Sequence, residues 1–297
     1  MTATDLSIRA VSAVEASKPG ANRRPFRWTM IILHALLILF GLLMAMPFVW
    51  MLLSSFKPLD EIFQVPPLLL PVNWTSENYT AAVEGANFLQ GFGNSVLVSV
   101  SVTVVSLLTC SMAAYAFARL RFPGREALFL VFLATMMVPQ QLTIIPLYVI
   151  MGSLRLVDTL WALILPAALF NAFGVFLLRQ YVRGIPLELE EAAAIDGAGR
   201  IRIFATIILP LLRTPMVALG IFIFLGQWNS FFYPLIFLNT ESNYTVPLLV
   251  NQFKGAYSSD WGALMAAVTI AAAPLLIIFI IAQRQIVEGI ALSGSKT

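Results

Sequence analysis

Few side chains in this 297-residue chain are reactive, and their number and spacing limit the chemistry open to it. There is one cysteine, Cys110, and one histidine, His34. A lone thiol excludes an intramolecular disulfide and a cysteine-cluster metal site, and a lone imidazole cannot assemble a histidine zinc set. Gly289, Gly294 and Ser295-Lys296-Thr297 approach a phosphate-binding loop, but the lysine falls one position late. Such a loop also needs a strand before it and a helix after it, so the chain is expected to bind neither ATP nor magnesium itself. The remaining candidates are neutral: Gln140 and Gln141 beside Pro139, Asn171, and the cluster Gln227, Trp228, Asn229, Ser230 and Tyr233. All sit inside apolar runs. Removed from water, each needs a partner, which is either a neighbouring helix or a polar solute. Amides and aromatic faces suit a solute rich in hydroxyl groups, and the clustering from Gln227 to Tyr233 favours a pathway.

The elements that must hold these groups are membrane helices. Hydrophobic residues make up 59% of the chain, charged residues 11%, and the mean hydropathy is +0.87. A soluble domain carries roughly 25% charged residues, so this chain has too little polar surface to coat a globule in water. Its net charge of +3 is not gathered into the basic face that nucleic-acid binding requires. A span takes about 20 apolar residues, and six charge-free runs predict span cores at 30–52, 92–115, 128–150, 160–178, 216–238 and 263–283. With the amino terminus in the cytoplasm, 15 of the 18 basic residues fall inside and only Lys57, Arg155 and Lys254 outside, as the positive-inside rule requires. Both termini are then cytoplasmic. The division is a tail over 1–27, an all-α six-helix membrane domain over 28–290, and a second tail over 291–297. A proline-rich outer loop spans 57–90. Asn73, Asn78 and Asn243 each begin an Asn-x-Thr triplet, a glycosylation pattern short enough to arise often by chance.

The stretch 179–213 is too apolar for a free loop and too charged for a span. It reads as two short helices. Pro186 suits a first turn, Glu188, Glu190 and Glu191 suit the positive end of the helix dipole, and Gly197 is placed to stop the helix. Asp196 suits a cap for the following turn. In the second helix Ile201, Phe204, Ala205, Ile208 and Leu212 recur near the helical period, and Pro210 predicts a bend.

Within this loop Glu191-Ala192-Ala193, three residues, Gly197, nine residues and Ile207-Ile208-Leu209-Pro210 match Glu-Ala-Ala-x3-Gly-x9-Ile-x-Leu-Pro at every position. This resembles the EAA loop of ABC importer permeases. Asn94-Ser95, Ala113 to Arg119, Phe122-Pro123-Gly124, Pro139, Pro146, Trp228-Asn229 and Pro234 extend the likeness, over nearly the whole chain, to the MalG-like permeases of maltose-type carbohydrate importers. The resemblance implies a type I importer fold in a bacterial or archaeal plasma membrane. It also implies a second permease subunit in a heterodimer, two ATPase subunits that carry ATP and magnesium, and an extracytoplasmic sugar-binding protein. On that reading Glu191, Ala192, Ala193, Asp196, Gly197, Leu209 and Pro210 couple to the ATPase, and the outer loop 239–260, with Tyr244, Phe253 and Tyr257, meets the binding protein. The neutral in-span residues become the sugar route. The resemblance implies sugars or related polyols, polyol phosphates included, as solutes, and other importer substrate classes fit the same loop. A secondary transporter would carry acidic coupling groups in its spans, and none of the six cores holds Asp or Glu.

Overall fold

The computed structural model describes residues 28–85, 87–253 and 260–294, and among these there are helices and no strands. The chain divides into two compact units, residues 1–50 and 51–297. Most of α1 (Trp28–Ser54), a helix free of charged residues with Pro47 inside it, belongs to the first. Everything below concerns the second.

After α1 the proline-rich segment holds two short helices, α2 (Leu59–Ile62) and α3 (Glu77–Glu84). The long α4 (Phe88–Arg119) follows. Its buried face is rich in small residues, Ser95, Ser99, Ser106, Cys110, Ser111 and Ala114, set among Val98, Val102 and Tyr115, whereas Leu97, Val100, Val104, Leu108 and Met112 face outward. In water that arrangement would be inside out. In a bilayer, small residues let helices approach closely while aliphatic ones meet lipid. Gly174 illustrates the approach: a Cβ there would lie 2.7 Å from the Cys110 sulfur.

The third predicted span is not one helix. It comprises α5 (Arg125–Ala134) and α6 (Ile144–Ser153), joined by single turns at Thr135–Met137 and Gln140–Thr143 and bent by 97°. Pro139 forces this, because the residue before proline is driven out of the helical region and Val138 is extended. The fourth span, α7 (Trp161–Leu169) and α8 (Ala172–Gly184), is interrupted at Phe170-Asn171 and runs past the expected 178.

The cytoplasmic-loop pattern gives α9 (Glu188–Ile195), then α10 (Arg200–Ile203), a widened turn over Phe204–Ile208, and α11 (Leu209–Leu211). Widening the turn ahead of Pro210 relieves the clash of its ring with the preceding turn. The chain then bends by 75° into α12 (Arg213–Trp228). Separately from that bend, the fifth span is interrupted at Asn229–Phe231, before α13 (Phe232–Phe237). Finally come α14 (Val246–Gln252) and α15 (Trp261–Gly294). Because α15 runs through Gly294, residues 291–294, placed in the tail by sequence, are helical. Among the described residues four helices are long and apolar enough to span alone, and six spans result when each bent pair counts as one.

Candidate functional site: coupling helix, central cavity and outer loops

Within the loop 179–213, α9 is closed by a glycine turn. Gly197 has φ +80°, its N–H donates to Ala194 O (3.0 Å), and the Ala198 N–H donates to Ala193 O (2.9 Å). These two bonds satisfy carbonyls the helix end would leave open, and the left-handed residue between them favours glycine. Asp196 is the last residue of the helix cap and exposed, while Gly199 precedes α10, so the expected Asp196 cap of the next turn does not form. Pro186 precedes α9 instead of occupying its first turn. Glu191, Ala192, Asp196 and Gly197 are exposed, Ala193 and Leu209 are half-buried, and Pro210 is exposed.

The residue that the sequence reading left to the helix dipole is the one that anchors this loop. Glu190 is buried, with Oε1 2.6 Å from Nε of Arg119, and its Oε2 accepts from the Tyr115 hydroxyl (3.3 Å). Arg119 also donates through Nη2 to Ile185 O. Beside it Arg179, 3% exposed, donates to both oxygens of Glu126 at 2.8 Å and to Phe117 O at 3.2 Å, and lies 3.8 Å over the Phe129 ring. Tyr115, Val182, Ile203, Ile208 and Leu212 form the apolar floor, with Ala193 and Ala198 packed on it.

Within the spans a cavity of about 890 Å³ is lined by parts of α4, the α5–α6 bend, α7, α8, α12 and α13. The three helix interruptions meet there: Thr135 to Thr143, Phe170-Asn171, and Gln227 to Tyr233. Gln140, Asn171, Gln227, Ser230 and Tyr233 line it, joined by Ser95, Thr135, Thr143 and Thr245, which the sequence reading missed. No Asp, Glu, Lys, Arg or His is among the lining residues. Gln141, Trp228 and Asn229 are not on it. Trp228 is buried and its indole donates to Ala271 O (3.0 Å), while the Asn229 amide donates to Leu225 O (2.9 Å). Asn171 also holds structure: Oδ1 accepts from Gly174 N (2.8 Å), and Nδ2 donates to Ser106 Oγ (3.3 Å).

The segments 57–79 and 239–245 are tied by two carboxylates. Glu61 accepts from Val72 N (2.9 Å), Asn73 N (2.9 Å) and Asn73 Nδ2 (2.7 Å). The bond from Val72, with those from Asn73, lowers its pKa. Asp158, at φ +61°, accepts at Oδ1 from Asn239 N (2.8 Å) and Thr240 N (2.9 Å), and at Oδ2 from the Thr240 hydroxyl. These bonds, the Thr240 hydroxyl first, hold its pKa at about 2. All three Asn-x-Thr amides are engaged: Asn73 with Glu61, Asn78 with Ser55 O and Lys57 O, and Asn243 with Asp158 O. Tyr244 and Phe253 are half-buried, Tyr244 packed on the main apolar core and Phe253 on the smaller cluster of Ala82, Phe88 and Val246, and Tyr257 lies outside the described residues.

Residues 106–291 match the family described as binding-protein-dependent transport system inner membrane component. The chain belongs to that family. The diacetylchitobiose uptake system permease protein NgcG of Streptomyces coelicolor is 40% identical over 262 residues, covering 86% of this chain and 85% of that one. The arabinooligosaccharides transport system permease protein AraQ of Halalkalibacterium halodurans is 35% identical over 253 residues, 84% of this chain and 90% of that one. A crystal structure of a bacterial ABC transporter involved in the import of the acidic polysaccharide alginate contains a chain with the same fold, at TM-score 0.76 and 24% identity, covering 86% of this chain and 95% of that one. As a member of this family the chain is a membrane transport subunit, not an enzyme, in an all-helical type I importer permease fold.

Proposed function

We propose that this chain is one half of the translocation path of an ATP-driven, binding-protein-dependent importer, with an uncharged, hydroxyl-rich sugar as its solute. The second half is a different permease subunit. Both termini and the loop 179–213 face the cytoplasm, where Glu191, Ala192, Ala193, Asp196 and Gly197, with Leu209 and Pro210 behind them, meet one of two ATPase subunits. ATP and magnesium bind those subunits. The outer loop that carries Tyr244, Phe253 and Tyr257 meets the binding protein.

The observation that carries the pathway is the convergence on one cavity of three helix interruptions, at 135–143, 170–171 and 229–231. Irregular backbone at membrane depth is tolerated only where protein buries it or it lines a watery cavity, and three separate breaks at one cavity favour the second case. The lining offers amides, hydroxyls and the Tyr233 ring but no charge. Burying a phosphate or carboxylate without a partner costs several kcal/mol, so this lining suits a neutral solute over a polyol phosphate. The names of NgcG and AraQ, both oligosaccharide systems, point the same way.

The test is ATP-dependent uptake of labelled diacetylchitobiose or an arabino-oligosaccharide by the complex reconstituted in vesicles. With Cys110 replaced by serine, Gln140→Cys and Gln227→Cys should each lose uptake on thiol modification. Gln141→Cys, off the cavity, should keep it. Uptake indifferent to modification at both lining positions refutes the pathway.

A further inference from the structure

The long helix α4 is tied at both ends to the two loops that the proposed function assigns to opposite partners. Near its outer end the Asn94 amide donates to the carbonyls of Ser242 (2.8 Å) and Tyr244 (2.9 Å), and Ser95 Oγ accepts from Val246 N (2.8 Å). At its other end Arg119 and Tyr115 hold Glu190 of α9. Between these anchors α4 covers about 37 Å at 1.5 Å per residue. It is also the one predicted span with no proline, and its 32 residues form one continuous helix. Kinks arise at prolines, widened turns and inserted groups, so the other five spans have built-in places to yield and α4 does not. Its middle braces one of them: Thr109 donates to Ala168 O (3.0 Å), and Ser106 accepts from Asn171 at the α7–α8 break.

We infer that α4 is a strut that carries motion between the coupling helix and the outer loop, with Glu190 and Asn94 as its positioning residues. The inference rests on the proposed reading of those two loops. A displacement of α9 moves Arg119 because the ion pair is enclosed, with side-chain exposures of 14% and 10%. A proline-free helix passes that displacement to Asn94 and so to the backbone of residues 242 and 244. Glu190 touches neither solute nor nucleotide in this scheme. It acts through Arg119.

The experiment reads the outer loop while the nucleotide state is changed at the cytoplasmic side. In the complete complex, with Cys110→Ser and a single reporter Glu241→Cys, the rate of reaction with an impermeant maleimide is measured before and after trapping with Mg-ATP and orthovanadate. Trapping should change that rate by about fivefold or more, and Glu190→Gln or Asn94→Ala should each cut the change to less than about twofold. Trapped nucleotide must remain in both variants. The double variant should be no worse than the worse single, since both cut one strut. Effects that multiply, or single variants that respond like the parent, overturn the strut. If Glu190→Gln fails to assemble, Asn94→Ala at the same reporter decides, because it lies at the far end of α4. A parent complex that traps nucleotide without any change at Glu241→Cys also overturns it. Failure of an ATPase to co-purify with the parent chain is a different result, and it removes the proposed function together with the strut.

Discussion

The loop 179–213 and the outer segments 57–79 and 239–245 are both pinned by acidic side chains, but by different physics. At the loop 179–213 the carboxylates pair with arginine side chains of separate elements, Glu190 with Arg119 and Glu126 with Arg179. On the outer side Glu61 and Asp158 accept chiefly from backbone N–H groups and from amide or hydroxyl side chains. A side-chain ion pair fixes where two elements touch and leaves each backbone free to travel as a unit. A carboxylate bound to successive backbone N–H groups fixes the course of the chain itself. The first arrangement suits a part that passes its motion to the element it grips. The second suits a surface that must keep its shape.

The largest departure from this balance should come from Gly197→Val. A Cβ at Gly197 meets nothing within 4 Å, so space is not the obstacle. At φ +80° the obstacle is backbone strain, which for a β-branched residue is a genuine outlier. Asparagine tolerates that region, and Gly197→Asn should therefore retain the ATPase on purification. Gly197→Val should lose it, or keep an assembled complex whose hydrolysis ignores the loaded binding protein, while the outer loops keep their protection from external protease. Equal behaviour of the two variants would show that the turn does not matter.

How much of this was legible in the sequence differs between the two regions for a physical reason. Helix α9 and its stop are written locally, in the spacing from Glu191 to Gly197, and the structure keeps a helix ending at that glycine. Glu190 was misjudged because its partners are distant: Tyr115 lies 75 residues away, and nothing near Glu190 announces burial. The six apolar runs were plain, but their breaks were not. Pro139 gave a local sign of one. The break at Asn171 is paid for by Ser106 on another helix, a contact that no periodicity reveals. The residues from Gln227 to Tyr233 read as one polar patch, whereas adjacent positions at the end of α12 point in different directions, Trp228 into the core and Gln227 onto the cavity.

A smaller effect is expected at Glu61. Its two oxygens both accept from backbone N–H groups, Oε2 from Val72 and Oε1 from Asn73. In Glu61→Gln one of them becomes an NH2 that must face a backbone donor, so a bond is lost and replaced by repulsion. Residues 68–74 should become more open to external proteolysis, while co-purification of the ATPase is unchanged. Loss of the ATPase instead would mean that the outer segment is not merely holding its own shape.

Asp158→Asn should be milder, and the reason is the partner at Oδ2. That oxygen accepts from the Thr240 hydroxyl, which can rotate and accept from the new NH2, while the amide oxygen keeps the bonds from Asn239 N and Thr240 N. What is lost is the charge. The folded pKa is about 2 against an ordinary 3.8. Because folding lowers the pKa, the carboxylate contributes stability that is complete above the ordinary value and fades as the pH falls through the interval toward 2. The parent should therefore lose external-protease protection of residues 239–245 as the pH drops from 4, beyond any general acid effect. Asp158→Asn should start slightly less protected at pH 7 and show a flatter decline over the same interval. A decline as steep in the variant as in the parent would assign the acid response to other groups and leave Asp158 as a neutral spacer in the loop.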